Sequence, residues 1–372
     1  MRGSACALLE SLVRTASVTG EERAVAELIA GWCERAGLLV EMPEVQPGRP
    51  NVIARWDTGR RPVLLLTGHI DTVPVGEGWT RDPLGAEVSG GRLFGRGACD
   101  MKGGLAAMLA AVLDVRAAGR EPRGDVVFAG VVGEEEDSAG TLALLAHGLD
   151  ADRALLAEPT GLELVRSNRG LVNYRVEIRG ESAHASSPQL GRNAVVAAAE
   201  VVRELERVAE ELAARAHPTF GPPNLTVGTI HGGTRPYVVP DRCIIEVDRR
   251  VNPGESARTA LSEAEGAVDR VRERISWLDA RFELGSEYLP FELEEDHPLV
   301  VDVLAAMRGA GLGDRVGAWR AASDAGFLVE RAGIPCVLFG PGDTAQAHRP
   351  DEYVDLAEVE IAREVCSHLL TA

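Results

Sequence analysis

The chain has 372 residues, of which 45% are hydrophobic, and its 39 basic and 57 acidic side chains give a formal net charge of −18. This length exceeds the size at which one hydrophobic core keeps growing, so we expect two domains. The acidic balance excludes the positive surface that nucleic acid or an anionic membrane requires, and the sequence has neither a signal-peptide core nor a run of about 20 apolar residues. We therefore expect a cytoplasmic protein without nucleic-acid or membrane partners.

The first two motifs place one histidine and two aspartates next to regular structure. In PVLLLTGHIDTVP, the apolar run Val63–Leu66 predicts a buried strand, and His69 and Asp71 follow where this strand should end. In GRGACDMKGG, a glycine-rich turn brings Asp100 to the start of a helix predicted over residues 104–116.

Three later segments repeat the arrangement of a short apolar strand followed by acids or a histidine: DVVFAGVVGEEE, ALLAEPT and IPCVLFGPGDTAQAHRPDEY. In open α/β sheets, ligands collect beyond the carboxyl ends of the strands. Zinc accepts imidazole nitrogen and carboxylate oxygen, and two histidines with three acids suit two ions about 3.5–4 Å apart. The predicted ligands are His69, Asp100, Glu135, Glu158 and His348. This assignment leaves Glu134 as a base.

Each of these residues also has a purely structural interpretation. A single histidine after a strand is more often a hydrogen-bonded loop residue, and His348 could lie on the surface. The run Glu134–Glu136 could form a solvated acidic turn, and Glu158 could be an ordinary acid at a strand end. The six cysteines contain no CxxC pair, so we expect buried reduced thiols rather than a disulfide framework or a catalytic cysteine.

The pattern of predicted elements changes after about residue 170. Up to that point helices and strands alternate, as in an α/β domain with a mostly parallel sheet. The next segment predicts a β-α-β-β-α-β unit of ferredoxin-like order, with strands over 171–179, 224–230, 243–251 and 280–287 and helices over 193–215 and 256–275. We therefore predict a discontinuous catalytic domain, 1–170 and 288–372, and an inserted α+β domain, 171–287.

Taken together, these motifs resemble the zinc-dependent amidohydrolase and exopeptidase family that includes acetylornithine deacetylase, succinyl-diaminopimelate desuccinylase, aminoacylase-1 and carboxypeptidase G. The resemblance covers nearly the whole chain, from GHIDTVP to GPGDTAQAHRPDEY. It implies that His69 and Glu158 hold one zinc ion, that Glu135 and His348 hold the other, and that Asp100 bridges them. It also implies that Co²⁺ or Mn²⁺ could replace zinc, that Asp71 fixes the tautomer of His69, and that the Asp100–Met101 peptide bond is cis.

The same resemblance sets the register of the acidic run. In relatives the metal-binding glutamate lies five residues before the glycine that corresponds to Gly140, which selects Glu135 as the ligand and Glu134 as the base. Many relatives have an aspartate where this chain has Gly133. A shift of the two roles to Glu135 and Glu136 is therefore an alternative.

In the inserted domain, the resemblance implies a lid that also forms a homodimer. His184, in SAHASSP, would reach the active site of the neighbouring subunit and stabilise the developing oxyanion. Arg250 and the Gly340 loop would hold a substrate carboxylate, and Asp324 occupies the family's substrate segment. Tyr237 stands where many relatives have asparagine.

The function implied is hydrolysis of the amide bond of a small N-acyl amino acid by water activated at two zinc ions, as in acetylornithine deacetylase or succinyl-diaminopimelate desuccinylase. An exopeptidase or dipeptidase of the same family is an alternative, because the same centre cleaves amides with different acyl groups. A catalytically silent dimeric zinc-binding protein is an alternative of another class. It predicts that a ligand or the base is missing, whereas all six positions are filled.

Overall fold

The computed structural model describes residues 4–371, and the chain divides into two compact units. Unit 1 contains the chain up to Ser167, Leu293–Gly317 and the chain from Phe327 onwards. Unit 2 contains Asn168–Glu292 and Ala318–Gly326. The insertion predicted over 171–287 lies inside unit 2. The segment 318–326 also belongs to unit 2, whereas the prediction places it in the catalytic domain.

The α-helices of the described range are between 8 and 19 residues long. They are α1 (Ser4–Arg14), α2 (Arg23–Arg35), α3 (Gly103–Ala117), α4 (Ala139–Ala146), α5 (Ala194–Leu212), α6 (Ala257–Arg272), α7 (Pro298–Gly309), α8 (Ala325–Ala332) and α9 (Leu356–Thr371). Among residues 4–371, no helix is long and apolar enough to cross a membrane.

The strands are between two and ten residues long. They are β1 (Leu39–Glu41), β2 (Glu44–Gln46), β3 (Arg49–Pro50), β4 (Val52–Trp56), β5 (Leu64–His69), β6 (Glu87–Ser89), β7 (Arg92–Phe94), β8 (Val126–Val131), β9 (Arg153–Leu156), β10 (Leu164–Asn168), β11 (Gly170–Arg179), β12 (Asn224–Gly232), β13 (Arg242–Val251), β14 (Asp279–Tyr288), β15 (Phe291–Glu292), β16 (Val316–Trp319), β17 (Cys336–Leu338) and β18 (Tyr353–Asp355).

The main sheet of unit 1 has the order β1-β4-β8-β5-β9-β17-β10. Its four central strands, β8, β5, β9 and β17, are parallel to one another, whereas β1, β4 and β10 join by antiparallel pairing. Strands β5, β8 and β17 are buried at every residue, and β9 is buried after Arg153, as expected of strands covered on both faces. Their carboxyl ends therefore meet at one edge of the sheet. The predicted mostly parallel α/β sheet is confirmed.

Helix α3 is the central helix of unit 1 and contacts both α1 and α9. Its sequence, GGLAAMLAAVLDVRA, is apolar on nearly every face, and most of its residues are buried. A helix that is hydrophobic all round belongs in a core. Its bounds differ from the predicted 104–116 by one residue at each end. This buried helix fixes the turn that precedes it, which carries Asp100.

Unit 2 contains the predicted ferredoxin-like arrangement, β11-α5-β12-β13-α6-β14, with the antiparallel sheet order β12-β13-β11-β14. Alternate residues of β11 and β13, such as Val176 and Ile245, are buried against α5 and α6. The side chain of Asn193 caps α5 by accepting hydrogen bonds from two main-chain N–H groups, and Ser256 caps α6. The fold class of the insertion is confirmed. All six cysteines are buried thiols, as predicted.

Candidate active site

His69 is the last residue of β5 and is only 1% exposed. Its Nδ1 lies 2.9 Å from the main-chain oxygen of Asp71, and its Nε2 lies 3.1 Å from Oδ1 of Asp100. We expected the carboxylate of Asp71 to orient this ring, but that carboxylate is 3.6 Å from Nδ1. The nearer partner is the carbonyl of the same residue. Donation from Nδ1 to this carbonyl directs Nε2 toward the site.

The carboxylate of Asp71 instead holds the acidic turn that follows β8. It accepts the main-chain N–H groups of Glu134 at 3.2 Å and Glu135 at 3.3 Å, and the hydroxyl of Thr19 at 2.8 Å. Asp71 is completely buried, and this burial raises the pKa of its carboxyl group. One side chain thus fixes the backbone that presents both predicted functional glutamates.

Asp100 lies between the two predicted histidine ligands. Its Oδ1 is 3.1 Å from Nε2 of His69, and its Oδ2 is 3.4 Å from Nε2 of His348. The Asp100–Met101 peptide bond is cis, as the family resemblance predicts. A Cβ atom on Gly68 would lie 2.9 Å from Cε of Met101, so a glycine before His69 permits the two segments to approach closely.

Glu135 and His348 complete this group of side chains. Nε2 of His348 lies 3.0 Å from Oε2 of Glu135, and the imidazole is half exposed. His348 has φ of 62°, a backbone conformation that is uncommon for residues other than glycine and concentrates at functional sites. Glu136 is exposed. These contacts favour Glu135 over Glu136 as the ligand.

Glu134 is partly buried beside these residues, and its negative charge contributes to raising the pKa of His69. Gly133, which replaces the aspartate of many relatives, has φ of 77°. Its carbonyl accepts the N–H groups of Asp137 and Ser138, so these hydrogen bonds close a turn that contains the three glutamates. The departure from the family pattern therefore coincides with a left-handed turn that glycine adopts without strain.

Glu158 lies two residues beyond β9 and is 5% exposed. Its backbone is closely approached from two sides. A Cβ atom on Gly104 would lie 2.2 Å from the carbonyl oxygen of Ala157, and one on Gly340 would lie 2.5 Å from the carbonyl oxygen of Glu158. These two glycines come from the segments that carry Asp100 and His348. The Glu158 backbone is thus packed against both.

The charges in this group strongly affect the protonation of the histidines. Hydrogen bonds to Asp100 and Glu135 raise the pKa of His348 to about 10. Burial alone would lower the pKa of His69, but the hydrogen bond to Asp100 and the nearby acids raise it well above its ordinary value. Burial would favour neutral Asp100, yet both histidines hold its pKa well below the usual range. Asp100, Glu135 and the two imidazoles thus form a site in which a cation could replace protons on the histidines.

The chemistry of this donor set fits a metal ion. Ligand atoms of His69, Asp100 and Glu135 all lie within 4.8 Å of one another. Imidazole nitrogen and carboxylate oxygen are zinc ligands, and a histidine whose Nδ1 donates to a carbonyl offers Nε2 to the metal. The residues that would hold metal are therefore the three named above, with His348 beside them, whereas the role of Glu158 as a ligand stays a prediction.

The remaining predicted residues lie in unit 2, except Gly340. His184 is exposed, and its Nδ1 accepts the N–H of Ser186 at 3.1 Å, so the neutral ring carries its proton on Nε2. Arg250 is partly exposed and donates to Asp248, whereas its neighbour Arg249 is fully buried with two glutamates. This difference supports the choice of Arg250 as the arginine that could reach a substrate.

Asp324 is 1% exposed and directly precedes α8. Gly340 is also buried, and its N–H donates to Oγ1 of Thr160 at 3.1 Å. The structure thus gives Gly340 a packing role against Glu158. Its part in binding substrate, like that of Asp324, stays a prediction.

Glu352, a fully buried acid that binds the turn before Asp100, is not among the residues predicted from the sequence. Consecutive acids such as Asp351 and Glu352 are usually solvated, and their pattern carries no sign of burial. Only the position of Glu352 could have indicated its role, because it lies four residues after His348 and directly before the short strand β18.

Comparison with known proteins gives consistent results over nearly the whole chain. Residues 65–372 match the family model described as peptidase family M20/M25/M40. The chain is 30% identical over 385 residues to acetylornithine deacetylase of Proteus mirabilis, with 98% of this chain and 95% of the relative covered. It is 29% identical over 364 residues to N-formyl-4-amino-5-aminomethyl-2-methylpyrimidine deformylase of Bacillus subtilis, with 89% and 84% covered.

Among solved structures, a tripeptidase from Staphylococcus aureus has a TM-score of 0.82 and 23% sequence identity to this chain. The similarity covers 99% of this chain and 97% of the tripeptidase. At this identity the likeness concerns the fold, and it extends over both units.

Proposed function

The chain belongs to peptidase family M20/M25/M40, a family of metal-dependent amide hydrolases, and we propose that it removes a small acyl group from the amino group of an amino acid or a related amine. The observation that carries this proposal is the convergence of His69, Asp100, Glu135 and His348. His69 and His348 lie about 280 residues apart in the chain, yet both imidazoles contact the carboxylate of Asp100.

We propose zinc as the native metal and two ions per subunit, with Co²⁺ or Mn²⁺ as substitutes. His69 and Glu158 would hold one ion, Glu135 and His348 the other, and Asp100 both. Bound metal supplies the positive charge that polarises the amide carbonyl and lowers the pKa of the attacking water.

Glu134 is the proposed base. Its backbone is held by Asp71, and because the neighbouring Glu135 is the proposed ligand, Glu134 is the acid that would accept the proton of the attacking water. Glu134 then passes this proton to the nitrogen of the departing amine. The same carboxyl group thus acts as base and acid in turn.

His184 is proposed to donate a hydrogen bond to the oxyanion that develops on the carbonyl. Acceptance of the Ser186 N–H by Nδ1 supports this role, since it leaves the ring proton on Nε2. From the family resemblance we propose that His184 acts in the neighbouring subunit of a homodimer formed by the inserted domain. Asp71 acts by holding the turn that contains Glu134.

The acyl group is the better supported part of the substrate. The two relatives named above are a deacetylase and a deformylase, and the chain is almost equally similar to both. Their acyl groups are small, whereas their amines differ widely. We therefore propose a formyl, acetyl or similarly small acyl group.

A carboxylate on the substrate is supported by the cationic side chains of unit 2. The N–H of Arg169 donates to the carbonyl of Trp319, next to Arg320, and Leu171 pairs with Arg250 in the sheet. Burial and the charges of Arg320 and Arg250 lower the pKa of Arg169. Three arginines whose charges affect one another in this way favour the binding of an anion.

An exopeptidase is the second candidate, because the family to which the chain belongs is described as a peptidase family. A silent metal-binding protein is disfavoured by the complete set of ligands and base. We also propose a cytoplasmic location, which the buried thiols support.

The deciding experiment combines metal analysis of the purified protein with hydrolysis assays on N-formyl, N-acetyl and N-succinyl amino acids, dipeptides and tripeptides. We expect two ions per subunit and the highest kcat/KM on a small N-acyl substrate. Preferred cleavage of peptides would favour the exopeptidase. Stoichiometric metal without hydrolysis of any substrate would favour the silent binding protein.

A further inference from the structure

Glu352 is completely buried, although it is an acid outside the predicted ligand set. Its Oε1 accepts the main-chain N–H groups of Cys99 at 2.9 Å and Asp100 at 3.1 Å. Its Oε2 accepts the N–H of Gly97 at 3.1 Å and Nη1 of Arg96 at 2.6 Å. Both oxygens are thus used to bind the segment that carries Asp100.

The turn needs these acceptors because its backbone is not helical. Asp100 has φ −116° and ψ 96°, and Met101 has φ −130° and ψ 29°. Buried N–H groups without a partner destabilise a fold, and the turn precedes α3, where regular helical acceptors are lacking. The carboxylate of Glu352 supplies acceptors for three of the turn's N–H groups.

Backbone pairing explains how two distant segments meet with this accuracy. Strands β18 and β7 pair antiparallel, with Tyr353 opposite Phe94. Directly beyond this pair, the N–H of Gly95 donates to the carbonyl of Glu352 at 2.9 Å. The side chain of Glu352 therefore enters the turn from a fixed backbone position.

The segment that carries Glu352 also carries His348, and it is fixed on a second side. The carboxylate of Asp351 accepts hydrogen bonds from the main-chain N–H of Thr80 at 2.9 Å and from the Thr80 hydroxyl at 2.7 Å. Nη1 of Arg96 also lies 3.4 Å from the carbonyl oxygen of Arg349. Any shift of Glu352 would consequently change the position of Asp100 relative to His348.

We propose that Glu352 is a positioning residue that sets the Asp100 carboxylate between His69 and His348, and that the hydrogen bond from Arg96 orients Glu352 for this purpose. The inference rests on the proposed function, since it concerns the same metal site. It assigns to Glu352 an effect on metal binding that acts through Asp100 and requires no contact with the metal.

The main test is Glu352→Gln, which keeps the side-chain length but provides one accepting oxygen in place of two. Its amide NH₂ must then face either the N–H groups of Cys99 and Asp100 or the Gly97 N–H and the Arg96 guanidinium, and all of these groups are donors. Zinc affinity, measured by competition with a chromophoric chelator, should fall about 10- to 100-fold, as for other residues that orient metal ligands. The visible spectrum of the Co²⁺ protein should change, and hydrogen exchange at Cys99 and Asp100 should accelerate in the metal-free protein.

The matched control is Glu263→Gln in unit 2, which also removes a partner from a buried arginine, Arg249. We expect a comparable loss of thermal stability without a change in zinc affinity or the Co²⁺ spectrum. If Glu352→Gln does not fold, Glu352→Asp tests the same proposal. It retains the charge opposite Arg96, but one methylene less prevents it from reaching all its partners, so zinc affinity should again fall.

A double-mutant cycle tests whether Glu352 acts through Asp100. In an Asp100→Asn background, Glu352→Gln should lower zinc affinity by less than about 3-fold further. An undiminished effect in that background, or wild-type zinc affinity and spectrum in Glu352→Gln and Glu352→Asp, would overturn the inference. Failure of the wild-type protein to bind zinc or cobalt would instead overturn the proposed function.

Discussion

The carboxylate of Asp71 accepts the main-chain N–H of Glu134 at 3.2 Å, although the two residues are 63 positions apart. Its other oxygen accepts the N–H of Glu135. The acidic turn is therefore fixed by a residue from the end of another strand. Because the backbone is fixed at both glutamates, adjacent side chains can serve different purposes, one as metal ligand and one as base.

Glu134→Gln should retain the fold and both metal ions but lose most hydrolysis. The amide has nearly the same shape as the acid but cannot accept the proton of water, and loss of a general base costs about 10²–10⁴ in rate. Metal content and kcat, measured on the same preparation, check this expectation. Glu136→Gln is the matched control, since Glu136 is exposed and should tolerate the change. Activity within a few-fold of wild type in Glu134→Gln, with loss in Glu136→Gln, would shift the register by one residue.

Metal binding should release protons, because zinc binds the deprotonated form of histidine. The pKa of His348 is raised to about 10, so its ring carries a proton at pH 8 in the metal-free protein, and the pKa of His69 is raised in the same direction. Zinc affinity should therefore increase with pH from neutrality up to about 10. Calorimetric titrations in buffers of different ionisation enthalpy count the released protons. His348→Gln should release fewer, and release of no proton by the wild type would contradict the prediction.

His184→Ala should leave metal content unchanged and lower turnover about 10²- to 10³-fold, the usual effect of removing one oxyanion donor. If His184 acts in the partner subunit, mixing this variant with Glu134→Gln should restore activity. A mixed dimer has one site with an intact base from one chain and an intact histidine from the other. Glu134→Gln mixed with Glu135→Gln is the control and should restore none, because both residues serve the same chain's site. Confirmed subunit exchange without recovery would mean that His184 does not act across a dimer.

Gly104→Ala should destabilise unit 1 and weaken metal binding together. The new Cβ atom would lie 2.2 Å from the carbonyl oxygen of Ala157, so α3 or the Glu158 backbone must move, at a cost of about 1–3 kcal/mol. Gly266→Ala, inside α6, is the control. Its Cβ atom would meet only the end of the Arg270 side chain, at 3.9 Å, and the substitution should stabilise by about 0.5–1 kcal/mol. Urea unfolding and zinc titration measure the two effects, and an unchanged Gly104→Ala protein would contradict the proposed packing.

Much of the fold could be predicted because its elements have strong local patterns. The insertion contains alternating strands and amphipathic helices, so the ends of α6 and β13 lie within a few residues of the prediction. The ligand candidates could also be identified, since each follows an apolar strand or a glycine turn. The parallel strand ends then explain why these residues meet.

Other features depend on long-range contacts that leave no local pattern. The assignment of 318–326 to unit 2 and the burial of Glu352 both require contacts between distant segments. The orientation of His69 by a main-chain carbonyl could not be distinguished in the sequence from orientation by the Asp71 carboxylate. Backbone groups are the same at every residue, so the sequence does not show which of them is used.

The pairing of β18 with β7 has a consequence for biosynthesis. A ribosome adds roughly 5–20 residues per second, so His348 and Glu352 are translated between about a quarter of a minute and one minute after His69. Until then the nascent chain contains an Asp100 turn without its carboxylate acceptor, and the proposed metal site lacks His348. Any metal captured earlier would be held by an incomplete set of ligands and could exchange readily. We therefore expect tight metal retention to begin only after the segment that carries His348 and Glu352 has left the ribosome.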